Sequence, residues 1–250
     1  MNNTAALATV LALSALPTLS QAEDNPLSFN LGAVTDYRYR GISQTRLEPA
    51  LQAGADYALP GGFYVGTWLS TIKWIKDFGG DAEVEWDVYG GYKGAIGKDL
   101  GYDVGVLGYV YPSAVTDTWT ANGFRNPNTA EVYGALSYGP GTLKYSHSVT
   151  NLFGTPDSKQ SGYLDLSATF DVGGFAVTPH IGYQRVRHAG DFSYTDYALV
   201  VSKDLAGFIL SAAIVGADTK SINGVKAYAS PANGKDLGRA ALLLGLKKTF

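Results

Sequence analysis

Apolar and polar residues alternate one for one along most of this chain. The clearest stretch is Ala82 to Lys93. Ala82, Val84, Trp86, Val88, Gly90 and Tyr92 would fall on one side of an extended strand, and Glu83, Glu85, Asp87, Tyr89, Gly91 and Lys93 on the other. Helical spacing would scatter these acids around a cylinder, so the period is two and the spacing predicts a strand. Such a strand suits a soluble sandwich with its apolar side on a core. It equally suits an outer-membrane barrel with that side toward lipid and its acids toward a wet lumen.

The same alternation recurs from end to end. Leu27, Phe29, Leu31, Ala33, Thr35, Tyr37 and Tyr39 alternate with Ser28, Asn30, Asp36, Arg38 and Arg40. Phe63, Val65, Thr67 and Leu69 alternate with Tyr64, Gly66, Trp68 and Ser70, and Val132 and Leu136 stand against Glu131 and Tyr133. The segments Phe208 to Gly216 and Gly238 to Phe250 are more apolar but keep the period. The pattern predicts about twelve strands of about 9–11 residues, the length with which a tilted strand crosses a bilayer.

The connections decide between sandwich and barrel. Pro60 to Gly62, Gly94 to Asp99, Gly139 to Gly141, Val172 to Gly174 and Asp204 to Gly207 read as tight turns. Between them lie longer loops: Gly41 to Glu48, Ile75 to Asp81, Pro112 to Asn128, Asn151 to Ser161, Arg187 to Phe192 and Asp218 to Leu237. Short turns at one end and longer loops at the other describe a closed antiparallel transmembrane β-barrel, with the turns periplasmic and the loops extracellular. Tyr57, Phe63, Tyr92, Tyr102, Tyr138, Phe170, Phe175, Phe208 and Phe250 lie on the apolar face beside the tight turns. They read as an interfacial aromatic girdle.

Composition narrows the picture. The 250 residues include 31 Gly and 17 Tyr, no Cys, and carry a net charge of −3. Without cysteine there is no disulfide framework and no thiolate chemistry. The near-neutral, slightly acidic balance argues against nucleic acid as a partner. Residues 1–22 are uncharged, with an apolar run from Ala5 to Leu16 and small residues before Glu23, and read as a secretory signal cut after Ala22. The barrel domain is then 23–250.

Several blocks point to a family. DYRYRGISQT (Asp36 to Thr45), the stretch Pro49 to Thr71, EVEWDVYGGYKG (Glu83 to Gly94) and DVGVLGYVYP (Asp103 to Pro112) resemble the TorF-like porin family. EVYGALSYG (Glu131 to Gly139) and SGYLDLSATFDV (Ser161 to Val172) extend the resemblance over nearly the whole mature chain. The resemblance implies an outer-membrane barrel with a transport function and names no solute. The terminal Phe250, with Leu242, Leu244 and Leu246 in phase before it, resembles the signal by which such barrels engage the assembly machinery. Lys248 departs from that pattern.

Candidate chemistry is sparse. In Ser146-His147-Ser148 adjacent side chains point to opposite faces of a strand, so His147 cannot activate either serine locally. His180 faces the expected lumen alone and His188 lies in a loop, so neither a catalytic pair nor a transition-metal site is predicted. Asp81, Glu83 and Glu85 would suit a hard cation at the rim, but acids on a strand are more often solvated. The reading is of a barrel without enzymatic activity, cofactor or metal. Its expected partners are outer-membrane lipids, the assembly machinery through the strand ending in Phe250, and small solutes or ions.

The lumen charges carry the functional expectation. Asp36, Arg38, Arg40 and Arg239 come from the first and last strands, and Glu83, Glu85, Asp87 and Glu131 from the fourth and sixth. Trp68 and Tyr89 complete the predicted constriction. Basic and acidic clusters facing each other across a narrow water-filled pore would make a transverse field and a selective, porin-like channel for passive diffusion. The alternative is that these groups pair into a plug, leaving a structural or adhesin-like barrel. A lipid-modifying enzyme stands third. About twelve strands lies between side-chain-filled and open barrels, so size does not choose.

Overall fold

A computed structural model describes residues 26–250. The expected signal at 1–22 and its cleavage after Ala22 lie outside the described residues. Within them, twelve antiparallel strands form one closed barrel. They are β1 Leu27–Val34, β2 Ala50–Ala58, β3 Phe63–Thr71, β4 Val84–Ile96, β5 Leu100–Val110, β6 Thr129–Tyr138 and β7 Gly141–Ser148. There follow β8 Gly162–Ala168, prolonged past Thr169 by Phe170–Val172, then β9 Phe175–Arg185, β10 Tyr194–Leu205, β11 Phe208–Asp218 and β12 Ala241–Thr249. Each strand pairs with its neighbour in sequence. The ring shuts where β1 meets β12 over Asn30↔Thr249 to Val34↔Gly245, which leaves no free sheet edge.

Period-two patterning turns each strand into a two-faced wall. Along β9 exposed Phe175, Ile181 and Tyr183 alternate with buried Ala176, Thr178, His180 and Gln184. Outward-facing leucines are among the most exposed side chains of the molecule, Leu51 and Leu242 each at 68%. A soluble protein of this size would not leave such a belt bare, whereas a wall facing lipid must. At the tight-turn end the outward rings touch: Phe63 and Tyr92 are 4.8 Å apart, and Tyr92 and Tyr102 5.8 Å. Lys248 resolves its own departure from the apolar phase. Its ammonium sits 4.2 Å from the Phe208 ring centre, so the stem lies along the wall while the charge stays at the rim.

Two elements differ from the sequence-based expectation. The first strand ends at Val34, so Tyr37 and Tyr39 do not join the outward face; both are buried inside. The last strand begins at Ala241, later than the expected Gly238. The long-loop end also holds two short helices, Trp74–Asp77 and Asp117–Ala121, too brief to show as a sequence period. The second is capped by the Thr116 hydroxyl, which accepts from the Trp119 amide at 3.1 Å and seats that fully buried indole among the loops.

Candidate functional site

The segment expected to project outward as the loop Gly41 to Glu48 instead folds into the barrel. Ile42, Ser43, Gln44 and Thr45 are all buried. Arg38–Tyr39 and Ile42–Ser43 pair as a miniature hairpin whose two-residue turn is Arg40-Gly41, both with positive φ (46° and 81°). That is the turn whose twist matches a β-hairpin, and it is where the left-handed region is tolerated. Gly41 also has no room for a side chain, since a Cβ there would lie 2.7 Å from the Asp196 Cβ and 2.9 Å from the Gly216 carbonyl oxygen.

Polar bonds fasten the hairpin at its base. Asp36 accepts from the Arg38 Nε at 2.6 Å and from the Ser43 and Thr45 hydroxyls at 2.5 and 3.2 Å. The Arg38 Nη1 also donates to the carbonyls of Gly41, Leu237 and Arg239. The amides of Lys73 and Trp74 bond the Gln44 carbonyl, and that of Ser43 bonds Leu237. The hairpin is thereby clamped to two other loops.

Its tip carries Arg40 to the middle of the lumen. One guanidinium nitrogen donates to Glu131 Oε2 at 2.6 Å, and another to Gln184 Oε1 at 2.5 Å. The guanidinium carbon lies 4.2 Å from the Tyr163 ring centre and 4.7 Å from that of Tyr39. Tyr109 donates to the same Glu131 oxygen at 3.3 Å. The contacts of Arg40 thus join the hairpin to β6, β8 and β9, and the arginine is only 1% exposed. Burying a guanidinium so completely is tolerable only with a paired carboxylate and further acceptors, which Glu131 and Gln184 supply.

Around this node the remaining lumen acids, Asp87 excepted, are also satisfied locally. Glu85 accepts from Tyr37 at 2.5 Å and from Tyr111 at 2.7 Å. His180 lies 2.9 Å from Asp196 and 3.4 Å from Asp165, while Tyr163 donates to Asp196. Asp87 is buried with one carboxylate oxygen unpartnered. Toward the tight turns, Tyr89 reaches Asp56 and Tyr64 reaches Asp103, both at 2.6 Å. Their rings lie flat over Gly66 and Gly91 of the neighbouring strands, space that any side chain there would need. Above the hairpin, among the loops, is a cavity of about 400 Å³ walled by rings including Trp74, Phe78, Phe124 and Phe153 and by no charged side chain.

Of the residues predicted to form the constriction, the structure brings Asp36, Arg38, Arg40, Glu85, Asp87, Tyr89 and Glu131 inside, and Trp68 meets Tyr37 edge-on at 5.4 Å. Two belong elsewhere. Glu83 precedes β4, is exposed, and pairs with Lys76 at 2.5 Å on the loop surface. That hydrogen bond holds the Glu83 carboxyl below its ordinary pKa and raises the lysine. Arg239 precedes β12 with its side chain exposed, and only its carbonyl faces Arg38. The two signs do not stand apart across open water, because Arg40 touches Glu131 directly. Tyr163, Gln184, Asp165 and Asp196 join the network without having been singled out. All four lie on inward phases of their strands, and that parity was the available signal. Among the described residues no group of acids and histidines is arranged to hold a metal ion.

The barrel is similar to solved porins. It superposes on the KdgM porin in complex with disordered oligogalacturonate with a TM-score of 0.55 at 8% identity, covering 89% of this chain and 99% of that one. Against the NanC porin the TM-score is 0.52 at 10% identity, covering 90% and 98%. At such identities the likeness is one of fold. No curated protein matches the chain in sequence. A family model does match, over residues 20–250, and the chain belongs to that family, Gcw_chp, described as a bacterial protein of unknown function.

Proposed function

We propose that the protein is a porin-like channel of the outer membrane of a Gram-negative bacterium, admitting small solutes or ions by passive diffusion, with the inward hairpin as its constriction. The observation that carries this reading is the two-faced wall: a closed ring of twelve strands, apolar outside and lined within by charged and hydroxyl side chains. A barrel built only as an anchor has no need of ionisable groups along its bore. The resemblance to TorF-like porins and the fold shared with KdgM and NanC support it. An amino-terminal signal and assembly through the strand ending at Phe250 belong to the same reading.

Charge suggests the solute class. Among the described residues, the buried cations of the lumen are Arg38, Arg40 and Lys144, while the buried acids are Asp36, Glu85, Asp87, Glu131, Asp165 and Asp196. The oligogalacturonate held by KdgM is a polyanion, and this bore offers such a chain no excess positive charge. Cations and small neutral molecules suit it better.

Planar-bilayer recording of the full mature chain tests the proposal. Discrete conductance steps with a reversal potential favouring cations under a salt gradient are expected. A second reading, a structural barrel with a permanent plug, is favoured by the direct Arg40–Glu131 contact. Well-inserted but electrically silent barrels would select it over the channel.

A further inference from the structure

The outer wall is not uniform around its circumference at the long-loop end. On the three adjacent strands β7, β8 and β9, strand pairing sets outward residues in level rows. Leu143, Leu166 and Ile181 share one row, Tyr145, Leu164 and Tyr183 the next, and His147, Gly162 and Arg185 the third. From the belt toward the loops the rows therefore run apolar, aromatic, then polar with the Arg185 guanidinium. Gly162 leaves a depression between the two polar flanks, partly filled by the Tyr145 ring edge. Immediately beyond lie Arg187, His188 and Lys159. A cleft of about 400 Å³ is bounded by Tyr145, His147, Gln160, Arg185, Arg187 and His188, and Arg187 and His188 also border the two clefts beside it.

These cations have no acid of their own. Arg185, Arg187 and Lys159 take part in none of the ion pairs among the described residues, whereas Lys73 and Lys220 on other loops each have one and Lys76 has two. The acids bordering the clefts are Asp157 and Asp218, one in each of the flanking clefts. His188 is held by the Asp157 carbonyl, 3.0 Å from its Nδ1, and accepts from the Arg187 Nε at 3.4 Å. An unpaired guanidinium pair at the upper edge of an apolar and aromatic wall is complementary to a ligand with acyl chains below and phosphate above. The fork of an arginine suits the phosphate.

We propose that this face is a binding site for a phosphorylated lipid of the outer leaflet. Its phosphate is received by Arg185 and Arg187 with Lys159 and His147 alongside, and its chains lie along Leu143, Leu166 and Ile181. The inference rests on the membrane location given under the proposed function. It does not depend on whether the bore conducts.

Native mass spectrometry of the full mature chain in nonionic detergent tests it, with bisphosphorylated lipid A as the probe. Dephosphorylated lipid A and excess inorganic phosphate serve as comparisons. The phosphorylated lipid is expected to be retained one per barrel. The pair R185S/R187S should lower that retention about tenfold or more, as loss of two charge-assisted contacts requires. Lys203→Ser with Lys248→Ser, whose ammonium groups lie over rings at the opposite rim, should leave it unchanged. Equal retention by R185S/R187S, equal retention of the dephosphorylated lipid, or an equal loss in the opposite-rim pair would overturn the site. Displacement by inorganic phosphate would do so too, since it would mark a free-anion site. Heat-modifiable migration and bilayer insertion of each variant separate the two levels of failure: a barrel that inserts without retaining the lipid sinks this proposal alone, and a chain that never inserts sinks the membrane reading with it.

Discussion

Arg40 concentrates the energetics of the lumen in one side chain. It occupies a left-handed backbone position, loses nearly all contact with water, and exchanges hydration for Glu131, Gln184 and two ring faces. Removing one partner of such a pair leaves an uncompensated buried charge. E131Q is therefore expected to lower barrel stability by about 3–5 kcal/mol, read as a lower temperature of conversion from the folded to the unfolded gel band. Adding Arg40→Ser to that variant should restore part of the loss, because the orphaned cation goes too. Asp87 gives the opposite case. Its carboxylate has a buried oxygen without a partner, so Asp87→Asn should leave that temperature unchanged or raise it. Strand parity alone places Glu85, Asp87, Tyr89 and Glu131 on the inner wall. It misplaces Tyr37, Tyr39, Glu83 and Arg239, because each lies just beyond a strand end, where alternation no longer dictates direction.

Among the elements, the hairpin between β1 and β2 matters most. The Arg-Gly-Ile-Ser-Gln-Thr run, Arg40 to Thr45, supplies most of its fastenings. Arg40 fills the lumen, Gly41 makes the turn and fits against β10 and β11, Ser43 and Thr45 bond Asp36, and the Gln44 carbonyl receives two loop amides. Gly41→Ala must both strain φ and displace the Asp196 and Gly216 wall, so it should loosen the hairpin while the strands stay intact. Faster protease cleavage within 36–48, with an unchanged heat-modifiable barrel, is the expected outcome; cleavage at the parent rate would show the contact to be slack. The strands and tight turns could be read in the sequence because a period of two and Gly-rich turns are local signals. The inward fold of this segment could not, because its bonds reach Glu131, Gln184 and Leu237, far along the chain.

On the scale of the whole molecule, twelve strands enclose a bore that side chains and one inward segment suffice to narrow. That is why Arg40, Glu85, Glu131 and Asp196 are all buried in a cylinder whose lining is polar. Barrel closure and loop asymmetry followed from pattern and connection length. Whether the bore stands open depends on where a single short loop goes, and hydrophobic periodicity does not record that. The excess of buried acids should make any current cation-selective, and E131Q with Glu85→Gln should move the reversal potential toward zero. The most direct test of the hairpin as the constriction is the unitary conductance of the parent beside a variant in which residues 38–43 are replaced by Gly-Ser repeats, both in planar bilayers. A several-fold larger conductance in the variant, with the same heat-modifiable fold, is the predicted result. Equal conductance in the two barrels would contradict the hairpin as the constriction.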